Sequence, residues 1–173
     1  MIKPNEVKTA AQKLEEQNYK FRIFLKNHAD YDELDAQFLE LHNELFAGYD
    51  CCKCANCCKA YSTILADDEV KRIADFLEMT TSDFIAEYLT DADASDEKPY
   101  MFKEMPCSFL SNDGRCRIND YKPDECRGFP YTDQPNRLSS MYSIIENAEV
   151  CPIVFEILER LKVIYRFGNR TYI

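Results

Sequence analysis

Cys51-Cys52-Lys53-Cys54-Ala55-Asn56-Cys57-Cys58 places five of the chain's nine cysteines in eight residues. The other four, Cys107, Cys116, Cys126 and Cys151, follow singly. Buried cysteines serve as small hydrophobes, but such fillers do not crowd together beside Lys53 and Asn56. The two-residue gap from Cys51 to Cys54 lets two sulfurs reach one ion from a tight turn, and Cys54 to Cys57 repeats it. Cys58 adds a thiolate at the next position. Adjacent side chains on an extended or turned backbone diverge, so one ion takes both Cys57 and Cys58 only with a special geometry, and the pair could serve two centres or two edges of one cluster.

Soft thiolates select zinc, copper(I) or iron–sulfur centres over hard cations. Closed sites of four cysteines are typical of structural zinc, and four thiolates also hold [2Fe–2S] and [4Fe–4S] clusters. The expected cofactor is therefore zinc or an iron–sulfur cluster. Disulfides compete with this reading, but an odd count of nine cysteines fits them badly.

These residues carry a resemblance. The chain resembles the YkgJ-type cysteine-cluster family, described as a zinc- or iron-chelating domain. The match takes in Cys51, Cys54, Cys57 and Cys58. It continues through Cys107-Ser108-Phe109-Leu110, Gly114-Arg115-Cys116-Arg117-Ile118 and Lys122-Pro123-Asp124-Glu125-Cys126-Arg127-Gly128-Phe129-Pro130, and ends near Cys151-Pro152. Ala55, Ser108 and Lys122 stand where the family tends to have Gly, Pro and Arg, and Cys52 is an extra. The resemblance implies eight metal ligands: Cys51, Cys54, Cys57, Cys58, Cys107, Cys116, Cys126 and Cys151. Eight permit two four-thiolate sites, or one such centre with the remainder structural. Some proteins with a similar cluster are linked to lysine methylation of flagellin, and no catalytic residue of theirs can be placed here.

Composition narrows the class. A chain of 173 residues is most simply one domain, and an apolar fraction of 46% is enough for a core. The net charge of −10 opposes binding to nucleic-acid phosphates or acidic lipids, and each zinc held by four thiolates would add about two more negative charges. The N-terminus has no apolar signal segment, and no stretch approaches a membrane span. A cytoplasmic location is expected, where clustered thiols survive as metal ligands.

Taken in order, residues 4–27 read as a helix with Val7, Ala10, Leu14, Phe21 and Phe24 on one stripe. Residues 31–47 read as a second, capped by Asp30, with Leu34, Phe38, Leu41 and Leu45 facing the first. The short link makes an antiparallel hairpin, whose surface could also meet a protein partner. His28 and His42 lack ligand spacing to the cysteines. Residues 67–77 and the Thr80-capped segment after them read as a helix pair. The acidic stretch 90–99 lacks the Gly and closing Glu of a calcium loop and reads as solvated. Asp113-Gly114 signals a tight turn between short strands that carry Cys107 and Cys116. Residues 121–130 form a compact loop or one helical turn presenting Cys126. Arg127 is expected either beside the thiolates or in a salt bridge to Asp124 or Glu125. Residues 131–150 read as irregular, and a final helix spans 152–167, with Cys151 at its N-terminus and Pro152 in its first turn.

The expected architecture is mostly α with a small irregular β hairpin, a cysteine-rich, metal-centred α+β fold. A single domain 1–173 would pack the 4–47 hairpin on a cysteine module spanning 50–167. No Ser-His-Asp set, phosphate loop, HExxH or GxGxxG is present, so the sequence leaves enzymatic activity undecided. Three functions remain: a metal-completed structural domain, an iron–sulfur electron carrier or redox sensor, and a protein-modifying enzyme using the cluster.

Overall fold

The structure, a computed structural model, describes residues 1–168. In chain order its elements are α1 (Val7–His28), α2 (Tyr31–Phe46), α3 (Cys51–Cys54), α4 (Asn56–Ala60), β1 (Ile64–Leu65), α5 (Asp67–Phe76), α6 (Thr81–Tyr88), β2 (Leu89–Asp91), β3 (Tyr100–Phe102), α7 (Asp124–Gly128), α8 (Met141–Asn147) and α9 (Pro152–Ile164). The chain is mostly helical, with one small sheet. It divides into two compact units, one joining Met1–Tyr49 to Pro130–Ile173 and the other comprising Asp50–Phe129.

In the first unit α9 packs on α1, α2 and α8. Asp30 caps α2 as expected, its carboxylate accepting from the Glu33 amide at 3.0 Å. The helix buries Leu34, Phe38 and Leu41. Pro4–Glu6 is a turn rather than helix, and α1 buries Val7, Ala11, Asn18, Phe21 and Leu25. Ala10, Leu14 and Phe24 of the expected stripe lie at its half-buried border. Helix α8 replaces irregular chain in the expectation. Met141, Ile144, Ile145 and Ala148 recur at i, i+3, i+4 and i+7 and are all buried. From α9, Ile153, Val154, Ile157, Leu158 and Leu161 join this core.

The second unit carries the cysteine run. Its sheet has strand order β1-β3-β2, all antiparallel, with Ile64 opposite Met101 and Leu89 opposite Phe102. The strands thus lie outside the Asp113-Gly114 segment, where the sequence placed them. That turn does form, closed by the Gly114 amide on the Ser111 carbonyl at 2.9 Å. Only the isolated bridge Leu110–Cys116 flanks it. The acidic loop is closed locally: Asp93 accepts from the Ser95 amide at 3.0 Å and hydroxyl at 2.8 Å. Leu65, Val70, Ile73, Ala74, Phe84, Leu89, Phe102, Phe109 and Ile118 form the core, with Cys107 and Cys116 packed against it.

Candidate metal centre

Two short helical turns carry the cysteine run. The Asp50 side chain accepts from the Cys52 amide at 3.0 Å and starts α3. Ala55, at φ 50°, ends it in a left-handed conformation and begins α4. A glycine is more comfortable there, so the Ala55 departure from the family pattern falls on a strained position. In α4 the sulfurs of Cys57 and Cys58 do not diverge; they lie 3.9 Å apart. The expected divergence of the two side chains is thus corrected by the helical turn that carries them.

The later cysteines of this unit arrive by separate devices. The Cys107 amide donates to the Cys58 carbonyl at 2.9 Å, pinning the 107 segment to α4. Cys116 is set by its bridge to Leu110. Cys126 sits in α7, its sulfur 3.1 Å from the Thr63 hydroxyl. Cys151 precedes α9 in the other unit and is 9% exposed. No disulfide joins any of the nine cysteines.

The thiols divide by electrostatics. Cys58 is drawn down to about 6, chiefly by its hydrogen bond from Cys57 and further by Lys122 and Lys59, against the effect of burial. The shift favours its thiolate form, the form that binds metal. Cys126 counts as exposed over the whole residue, yet its sulfur is crowded. Burial pushes it up to about 11, the Thr63 hydrogen bond opposes this, and Cys107, Cys58 and Cys116 add to the rise. Burial also raises Cys107 and Cys116, and both feel Cys58. Cys51 is raised by burial and then by Cys54 and Cys52. Cys58, Cys107, Cys116 and Cys126 therefore form one interacting group, and Cys51, Cys52 and Cys54 another.

Residues 50–152, more than half of the chain, match the family model described as "CxxCxxCC: Putative zinc- or iron-chelating domain". The chain belongs to the CxxCxxCC family. No curated protein and no solved structure matches it.

Family membership implies a metal, and the donor set can be tested for one. In a tetrahedral zinc–thiolate site with bonds of about 2.3 Å, neighbouring sulfurs are about 3.8 Å apart. The Cys57–Cys58 separation of 3.9 Å is such an edge. Among the described residues, however, no three His, Cys, Asp or Glu side chains form a group that could hold a metal ion. Cys57 and Cys58 thus have, as a pair, the spacing of two thiolates on one ion.

Other expectations fall differently. Arg127 takes neither expected role: its guanidinium donates to the Lys122 carbonyl at 2.9 Å and to the Asp120 carbonyl at 2.5 Å, bracing the loop. Among the cations near the thiols, Lys122 favours the charged forms of Cys51, Cys58 and Cys116, with Lys59 also acting on Cys58 and Arg117 on Cys116. The position of Lys122 between Cys116 and Cys126 was a readable signal. His42 Nδ1 lies 2.8 Å from the Thr132 hydroxyl, and His28 stacks on Phe24 at 4.5 Å. No helix among the described residues is long and apolar enough to cross a membrane.

Proposed function

We propose that the Asp50–Phe129 unit is a thiolate metal-binding module that holds zinc as a structural ion. The observation that carries this is the 3.9 Å edge between Cys57 and Cys58, which matches two ligands on one tetrahedral ion. Cys107, Cys116 and Cys126 are the proposed source of the remaining ligands, and Cys51 and Cys54 a second thiol pair. Full thiolate ligation leaves no open coordination position, so the ion completes the fold rather than performing chemistry. Binding free energy is then folding free energy.

In a [4Fe–4S] centre each of four cysteines binds its own iron, so a close sulfur pair supports zinc over that cluster. A [2Fe–2S] cluster, with two cysteines on each iron, accepts the edge and is the second reading; it would make the unit an electron carrier. Anaerobic purification and elemental analysis decide between them. Colourless protein with at least one zinc per chain is the expected result. A brown protein carrying iron overturns zinc, and protein that takes up neither metal overturns the module.

A further inference from the structure

We propose that Glu69 is a positioning residue for the thiol of Cys126, acting through the backbone amide of Asp124; its consequence for the metal rests on the reading above. Glu69 lies in the first turn of α5 beside Asp67 and Asp68, which are exposed, yet it is 2% exposed. A buried carboxylate is tolerated only when it is hydrogen-bonded and paired. Glu69 has three donors. Its Oε2 accepts from the Ala66 amide at 2.8 Å, closing the start of α5, and from the Lys98 ammonium at 3.0 Å. Its Oε1 accepts from the Asp124 amide at 2.7 Å.

Asp124 is the first residue of α7, the five-residue helix that carries Cys126, and Pro123 before it supplies no side-chain cap. The missing cap therefore comes from a side chain 55 positions away in sequence. Arg72, one turn further along α5, reinforces the hold: it donates to the Lys122 carbonyl at 3.2 Å and lies 3.7 Å from the Asp124 carboxylate. On the other side the Cys126 sulfur meets Thr63 at 3.1 Å. Helix α5 thus fixes the backbone of the loop whose one thiol is Cys126. An outer residue that orients a ligand typically changes metal affinity by about 10–100-fold when removed.

The test uses the full chain and Glu69→Gln, which keeps the side-chain shape and removes the charge. Zinc-loaded protein is mixed with a chromophoric chelator, and metal-free protein is alkylated with iodoacetamide and mapped by peptide mass. Release about tenfold faster than wild type is expected, together with a several-fold rise in alkylation of Cys126 relative to Cys116. General loosening would raise both thiols alike; that result, or unchanged rates, overturns the proposal. If wild-type protein takes up no zinc, the metal reading fails while the alkylation ratio still decides the positioning role. Should Glu69→Gln fail to fold, Arg72→Met removes the second tether and is read in the same two ways.

Discussion

The backbone of Gly114 lies directly against the carbonyl of Cys52: a Cβ built on Gly114 would stand 1.9 Å from that oxygen and 3.0 Å from its carbon. The Asp113-Gly114 turn and the first turn of the cysteine run are therefore in backbone contact, which a side chain forbids. Gly114 also has φ +84°, where an L-residue is strained. Gly48 shares the conformation, at φ +78°, but has open space around its Cβ position. Gly48→Ala should cost only the backbone strain, about 1–2 kcal/mol. Gly114→Ala adds overpacking and should cost roughly 2–5 kcal/mol. Urea denaturation of the two variants measures the difference; equal losses would mean that the Cys52 contact gives way freely.

Phe109 is 1% exposed and meets Tyr88, Phe102 and Phe84 at ring separations of 4.9, 5.5 and 6.3 Å. It lies two residues from Cys107, which packs on the same core. Phe109→Ala should cost about 3–5 kcal/mol, the usual loss for a buried aromatic. Phe76, 44% exposed and stacked on Tyr121 at 4.3 Å, is the comparison; its alanine variant should lose about 1 kcal/mol. Similar losses at both positions, by denaturant titration, would contradict the assignment of Phe109 to the core.

What could be read from the sequence was local. Asp30 and Thr80 cap their helices through their own side chains, the Thr80 hydroxyl accepting from the Asp83 amide at 3.1 Å, and such bonds need only a few consecutive residues. The cysteine spacing likewise announced its family. The pairing of the sheet was not legible, because strands of two or three residues carry no periodicity and Ile64 finds Met101 only in the folded unit. Helix α8 had a readable stripe in Met141, Ile144, Ile145 and Ala148, obscured by the turn residues Pro135 and Asn136 just before it. The convergence of Cys57 and Cys58 depends on a helical turn begun by Ala55 in a left-handed conformation, which alanine does not advertise. The contacts Glu69–Asp124 and Thr63–Cys126 are tertiary, and nothing in the chain signals them.

In the four-helix unit Asp35 secures the turn that leads into α8. Its carboxylate accepts from the Asn136 amide at 2.6 Å and the Arg137 amide at 2.8 Å. Arg137 is 6% exposed, and its guanidinium donates to the carbonyls of Pro135 and Tyr131. Burial lowers the Arg137 pKa while Asp35 and Asp133 oppose the shift, so Asp35 also supplies countercharge. Asp35→Asn should cost about 1.5–3 kcal/mol, the range for hydrogen bonds to a charged group. A loss below about 0.5 kcal/mol in a urea titration would mean that water replaces these bonds without penalty.

The Glu69 carboxylate also makes the second unit sensitive to acid. Burial alone would raise its pKa from the ordinary 4.5, but the amides of Ala66 and Asp124 and the ammonium of Lys98 outweigh burial and hold it lower. Lys98 is correspondingly raised: burial opposes the shift, and Glu69 and then Glu125 overcome it. A carboxylate whose folded pKa is depressed binds protons more readily in the unfolded chain. Its stabilising contribution is therefore fully present above the unfolded carboxylate range and is lost as pH falls through the folded value. Glu69→Gln removes that titration, so its stability deficit against wild type should be largest near neutrality and shrink as pH drops below 4.5. Melting temperatures of both proteins across the acid range, metal-free to keep thiol ligation out of the comparison, provide the measurement. A deficit that stays constant down to the lowest pH would show that Glu69 contributes through shape and not through charge.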